Sequence, residues 1–149
     1  MKAIVVYESE HGNTEKIAKA IRGALTGEIR VVRARDSSIS DLKGYDVLIV
    51  GAPTYGGRPM PPMQTFLDKL SEGMLTNTRV CAFDTRLTSK FSKLFGYAAP
   101  KIDAVLQSKG GVQILPPEGF LVKGSKGPLA DGEIERAAAW GKTLLEKLA

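Results

Sequence analysis

Five short apolar runs, Lys2 to Tyr7, Ile29 to Ala34, Val47 to Gly51, Arg79 to Asp84 and Val112 to Leu115, alternate with stretches in which apolar residues return every three or four positions. The runs have the length and β-branched content of buried strands. The stretches between them have helical period. Ile17, Ala18, Ile21, Ala24 and Leu25 share one face of the first. Met63, Phe66, Leu67 and Leu70 do so behind Pro61 and Pro62, and Ile134, Ala137, Ala138, Gly141, Leu145 and Leu148 do so near the end. A short helix is expected after Ile39, and another from near Pro100 to Gly110 or Gly111. Strict alternation of this kind predicts an α/β fold, a doubly wound parallel five-stranded sheet with helices on both faces. Ligands in such sheets bind beyond the carboxyl ends of the strands, where the strand order reverses.

The first strand runs directly into a loop with suitable chemistry, KAIVVYESEHGNT. Ser9 and Thr14 bring hydroxyls, Gly12 lets the backbone approach a ligand, and Asn13 and Thr14 open a helix whose first amides point outward with the helix dipole behind them. A phosphate is favoured there on neutral donors alone. The spacing excludes the GxGxxG dinucleotide fingerprint and the GxxxxGK[S/T] P-loop. Glu8 and Glu10 flank a place for a dianion and are expected to point away from it. His11, the only histidine, has no carboxylate or cysteine at catalytic spacing, so it is read as a loop residue that donates to phosphate or faces solvent.

The third strand ends in a second such loop, DVLIVGAPTYGGRP, and the fourth leads into VCAFDTRLTSKFSKLFGYAAP. SEHGNT resembles the S/T-x-T-G-x-T loop by which flavodoxins hold the phosphate of FMN, with Ser9, Gly12 and Thr14 matching and His11 standing where threonine is usual. GAPTYGG resembles the flavodoxin loop G-S/A-P-T-W/Y-G-G. The resemblance covers essentially the whole chain and implies a flavodoxin-like sheet of order 2-1-3-4-5 with FMN at its switch point. It implies that the phosphate is bound by Ser9, Glu10, His11, Gly12, Asn13 and Thr14. The ring would then lie on Pro53, Thr54, Tyr55, Gly56 and Gly57, with Tyr55 against the isoalloxazine and Gly56 or Gly57 presenting backbone to its N5. Asp84, Thr85 and Arg86 would follow on the pyrimidine side, although this third region departs from the family's common pattern. Phe91 or Tyr97 is a candidate second aromatic wall, with the core as the alternative. FLV is expected to extend an interrupted fifth strand, and GPLADGEIERAAAWG resembles the start of a final helix with Asp131 as its N-cap. Trp140 on that helix is expected to pack on the sheet.

Size and composition fit one domain, residues 1–149, with 43% hydrophobic and 25% charged residues. No stretch is long and apolar enough for a membrane span, and Met1-Lys2 leads into the first strand without a signal-peptide core, which makes the cytoplasm the expected location. Cys81, the single cysteine, sits in VCAF and reads as core. The net charge of +5 is unevenly placed: residues 79–126 hold 8 Lys and Arg against 3 Asp and Glu. That block contains the third loop, so Arg58, Arg86 and Lys90 are expected to form a basic rim near the ring, facing a redox partner protein, either a reductase or an acceptor. Nucleic acid is a poorer fit, because the basic residues are scattered and not interleaved with aromatics. A cation near the ring would stabilise the anionic reduced flavin and raise its potential. These features are read as an FMN-binding flavodoxin-like electron-transfer protein. An FMN-dependent NAD(P)H:quinone reductase or protoporphyrinogen-oxidase-like oxidoreductase is the rival reading, and a flavodoxin-fold domain without redox activity is a third. A receiver domain is disfavoured, since strand 3 ends in GAPTYGG where a phosphoacceptor aspartate would stand.

Overall fold

The computed structural model of the chain describes residues 1–87 and 94–149. Its elements, in order, are β1 (Lys2–Tyr7), α1 (Asn13–Ala24), β2 (Glu28–Arg33), β3 (Val47–Tyr55), β4 (Arg58–Pro59), α2 (Pro61–Asp68), β5 (Arg79–Arg86), α3 (Ala98–Ser108), β6 (Val112–Gln113), β7 (Glu118–Leu121) and α4 (Glu133–Leu148). The stretch after Ile39 forms a 3-10 turn, Ile39–Leu42, closed by a reciprocal cap between Ser38 and Asp41.

The main path of the sheet is β2-β1-β3-β5-β6, all parallel, which is the order 2-1-3-4-5 once short strands are set aside. Among the described residues the sheet has seven strands where the hydrophobic pattern predicts five. Two features add the extra strands. The fifth position is divided, with β6 beside Arg79 and Val80 and β7 beside Phe83 to Arg86 on the same edge of β5. Pro116 and Pro117 lie between them and have no N–H to give a ladder. The other addition is β4, which folds back antiparallel on Thr54 and Tyr55 through the Gly56-Gly57 turn. β3 and β5 also run further than their apolar runs, to Tyr55 and Arg86, and these extensions carry the polar residues described below.

Neighbouring residues of each strand point to opposite faces, so the near-continuous apolar runs feed two cores. Ile4, Leu48, Val50 and Val80 meet Met63, Leu67, Ile102 and Leu106 of α2 and α3. Val5, Ile49, Cys81 and Phe83 meet Ile17 and Ile21 of α1, Phe120 of β7 and Leu144 of α4. Burial pushes the Cys81 thiol well above its ordinary value, so the residue is inert core. Phe83, Phe120 and Trp140 stand mutually edge-on, with centroids 6.2 to 6.3 Å apart, which places Trp140 against the sheet.

The final helix differs from its sequence pattern in two respects. Its inward seam runs through Ala137, Gly141 and Leu144, while Ile134 is 40% exposed. Its N-cap is Gly132 at φ +82, and Asp131 instead pairs with Lys123 Nζ at 3.2 Å. The polar anchor at this start is Glu133, which accepts from the Leu121 amide at 2.6 Å and from Arg136 at 2.8 and 2.9 Å. Those bonds, Arg136 foremost, hold its carboxyl below the usual range against the opposing effect of burial. Among the described residues no helix is long and apolar enough to cross a membrane.

Candidate functional site

The carboxyl ends of β1, β3 and β5, with residues following β7, enclose a cleft of about 420 Å³, within the size range of small-molecule sites. It lies where the strand order reverses, and both motif loops line it.

At one end is the turn from β1 into α1. Gly12 is the N-cap at φ +88, a conformation L side chains adopt with strain, and an added Cβ would meet nothing within 4 Å. Space is thus left over the cradle formed by this loop, although Gly12 itself is not among the residues that line the cleft. Ser9 is buried, and its Oγ accepts from the Gly12 amide at 3.1 Å and the Glu15 amide at 3.3 Å. Having accepted twice, its own O–H is left to donate. Thr14 Oγ1 and Thr85 Oγ1 share a hydrogen bond of 2.8 Å, which joins this loop to the end of β5. Glu8 is fully buried and turned away, bound by Arg33 and Arg35, and its Oε2 accepts from the Arg35 amide at 2.8 Å. Glu10 also lines the cleft, and its carboxylate, half exposed, stands 3.7 Å from His11 Nε2. Asn13 lines the cleft as well, while its side-chain amide donates to the Lys126 carbonyl at 3.3 Å.

The other end is built from three segments. Pro53, Thr54, Tyr55, Gly56 and Gly57 all line the cleft, and Tyr55 is 38% exposed. Thr54 Oγ1 accepts from the Ala98 amide at 3.0 Å. Gly57, at φ +78, backs onto the next segment so closely that a Cβ would stand 2.4 Å from the Phe95 carbonyl. Lys101 Nζ bridges the two, donating to the carbonyls of Gly57 and of Phe95, the latter at 2.9 Å.

The Asp84 to Arg86 segment divides its roles. Thr85 and Arg86 line the cleft, whereas Asp84 lies beneath it, fully buried. Arg86 Nε and Nη2 donate to the two Asp84 oxygens at 2.7 and 2.8 Å, and the Ala99 amide donates to Oδ2 at 2.8 Å. Burial raises the Asp84 carboxyl from its ordinary value, and the guanidinium opposes that rise. Tyr97 stacks on this guanidinium, 3.6 Å from ring centroid to Cζ, so its face is occupied by Arg86. Lys90 and Phe91 lie outside the described residues.

Four lining residues are not among those expected from the sequence: Leu87, Phe95, Val122 and Ser125. Leu87 and Phe95 are 38% and 56% exposed and add apolar surface beside Tyr55. Their signal in the sequence was faint, since an apolar residue in a loop reads equally as core. Val122 and Ser125 come from a segment whose glycines and lysines mark a turn without saying where the turn docks. One end of the cleft therefore offers hydroxyls and helix-start amides, and the other offers aromatic and apolar surface with fixed main-chain groups. This set suits a phosphate monoester joined to a flat heteroaromatic ring.

The sequence model of the flavodoxin domain family matches residues 4–113. A flavodoxin of Haemophilus influenzae is 31% identical over 85% of this chain and 75% of its own length. Flavodoxin 1 of Escherichia coli K12 is 28% identical over 97% of this chain and 93% of its own. Among solved structures, an archaeal flavodoxin superposes with a TM-score of 0.79 at 26% identity over 99% of both chains. Oxidised flavodoxin 1 of Bacillus cereus superposes at 0.83 over the whole of both chains, and at 24% identity that is a likeness of fold.

Proposed function

The chain belongs to the flavodoxin family, and from that premise we propose that its cleft holds the cofactor in one orientation, phosphate on Ser9 to Thr14 and ring toward Tyr55. The protein is an FMN-binding electron-transfer protein, of a family that transfers electrons to redox partners. The observation that carries the orientation is the gradient of polarity along the cleft, from the hydroxyls of Ser9 and Thr14 to the half-exposed Tyr55.

FMN supplies one- and two-electron chemistry at its ring when bound. The chain's own residues bind, orient and shield it. Ser9 and Thr14 donate to the phosphate beside the first amides of α1, whose dipole favours the negative charge. Glu10 and His11 border that end. Tyr55 lies along the ring face. Pro53 and Thr54, the latter fixed by Ala98, lead the chain to it, and the Gly56-Gly57 turn brings main chain to the ring edge. Thr85 and Arg86 close the pyrimidine side, with Asp84 beneath as the anchor that holds Arg86.

A basic rim that includes Arg58 and Arg86 is assigned to an acidic redox partner protein, Lys90 lying outside the described residues. Arg58, exposed on β4, is its leading charge, since Asp84 balances much of that on Arg86. The net charge of +5 supports the assignment. The chain acts as one domain, residues 1–149, in the cytoplasm.

The visible spectrum of the purified protein is the first test, and a chain that takes up no FMN ends this reading. Stopped-flow reduction is the second. Slow reduction by NADPH alone and fast reduction once a flavoprotein reductase is added mark a carrier. Fast direct reduction by NADPH with quinone turnover replaces the carrier with the quinone reductase.

A further inference from the structure

Between β7 and α4 the segment Lys123-Gly124-Ser125-Lys126-Gly127 is folded as a hairpin. Val122 bridges Leu129 in antiparallel fashion, the Lys123 amide donates to the Pro128 carbonyl at 2.8 Å, and the Gly127 amide donates to the Gly124 carbonyl at 2.9 Å. Ser125 and Lys126 are therefore the central pair of a four-residue turn.

That turn docks on the cradle between β1 and α1. Asn13 Nδ2 donates to the Lys126 carbonyl at 3.3 Å, and Gly127, at φ +98, approaches so closely that a Cβ would stand 2.6 Å from the same nitrogen. Ser125 lines the cleft. Lys123 is paired with Asp131, whereas Lys126 is exposed and, among the described residues, has no ion pair. Glu10 is also among the residues lining the cleft, and a carboxylate in the neighbourhood of an anion disfavours it unless a cation offsets it.

On the cofactor orientation proposed above, we infer that this hairpin is a second wall of the phosphate end, in which Asn13 positions the turn, Ser125 Oγ donates to the bound phosphate, and Lys126 adds the positive charge that Ser9 to Thr14 lack. Asn13 then acts through the hairpin, as a positioning residue. A hydroxyl donating to a phosphate dianion is a charge-assisted bond, among the stronger hydrogen bonds in water.

The test is titration of the apoprotein with FMN and with riboflavin, which differ only in the phosphate, followed by flavin fluorescence. Ser125→Ala is expected to weaken FMN about tenfold, and Lys126→Gln about threefold at low salt and less at high salt. Both leave riboflavin affinity unchanged. Asn13→Ala is expected to match Ser125→Ala, and the double variant to lose no more than either alone. Unchanged FMN affinity, or equal losses for FMN and riboflavin, would overturn the hairpin's role, and fully additive losses would overturn that of Asn13. Wild-type protein that binds riboflavin as well as FMN would instead remove the phosphate assignment itself, and the hairpin's role with it.

Discussion

At the phosphate end of the cleft the loop is shaped by bonds between near neighbours and only then tied to distant segments, through Asn13 and Thr14, whereas at the ring end the shaping bonds themselves cross the chain. Ser9 takes amides three and six residues on. Thr54 and Gly57 are held by Ala98 and Lys101, each 44 residues away, and Asp84 by Ala99, 15 away. A strand, a left-handed glycine and a helix start shape the first end almost by themselves. The second exists only when β3, β5 and α3 are assembled, so its geometry depends on packing and is the more open to tuning. Among the described residues the Thr14–Thr85 hydrogen bond links the two ends, and the Asn13 bond to the Lys126 carbonyl ties the first end to the hairpin after β7.

The largest expected effect is at the long-range hub. Asp84→Ala leaves the Arg86 guanidinium without its counter-charge and the Ala99 amide without its acceptor, at a cost of about 3 kcal/mol in urea unfolding. Ser9→Ala removes the local acceptor of the Gly12 and Glu15 amides and costs about 1 kcal/mol. A reversal of that order would break the contrast between the two ends. Gly57→Ala follows, because a side chain at φ +78 must displace the Phe95 carbonyl. A loss of about 2 kcal/mol, equal for FMN and riboflavin, is expected by titration. A loss confined to FMN would place Gly57 at the wrong end. Tyr55→Ala should weaken both flavins by about 1 kcal/mol, with brighter emission from the flavin that remains bound. No change in either would take Tyr55 off the ring face.

The smallest effect concerns pH and leaves both ends intact. Glu133, held below its ordinary value by Arg136 and the Leu121 amide, contributes stability that is present above the unfolded-state value and is lost as pH falls through the folded-state one. Urea midpoints should drop more steeply below the ordinary carboxylate range in wild type than in Glu133→Gln. Parallel curves would show that Glu133 adds nothing to the acid limb.

Much of this was legible in the sequence because it is local. The β1 run and its loop fall where their pattern placed them, and the GAPTYGG loop reaches the same cleft as SEHGNT. What escaped was tertiary. The divided fifth strand follows from Pro116 and Pro117, but where β6 and β7 attach depends on the free edge of β5. Leu144 and Ile134 exchange inside and outside because the direction of α4 is set by its seam with α1, which a period alone leaves open by a fraction of a turn. Tyr97 could be read as a cleft wall or as core until Arg86 was seen stacked on it. Ser125 had no signal, since a Gly-Ser-Lys-Gly turn announces a bend and says nothing of its neighbour.

Trp140 is the only tryptophan in the chain, and its indole stands edge-on to Phe83, two residues along β5 from Thr85 in the cleft wall. A single emitter in that position works as a built-in optical gauge. Its colour follows the dryness of the aromatic cluster and shifts to the red when the fold opens. Its brightness falls by energy transfer when a flavin, which absorbs where indole emits, occupies the cleft. One excitation wavelength therefore separates emptying of the cleft from melting of the protein, with no label attached.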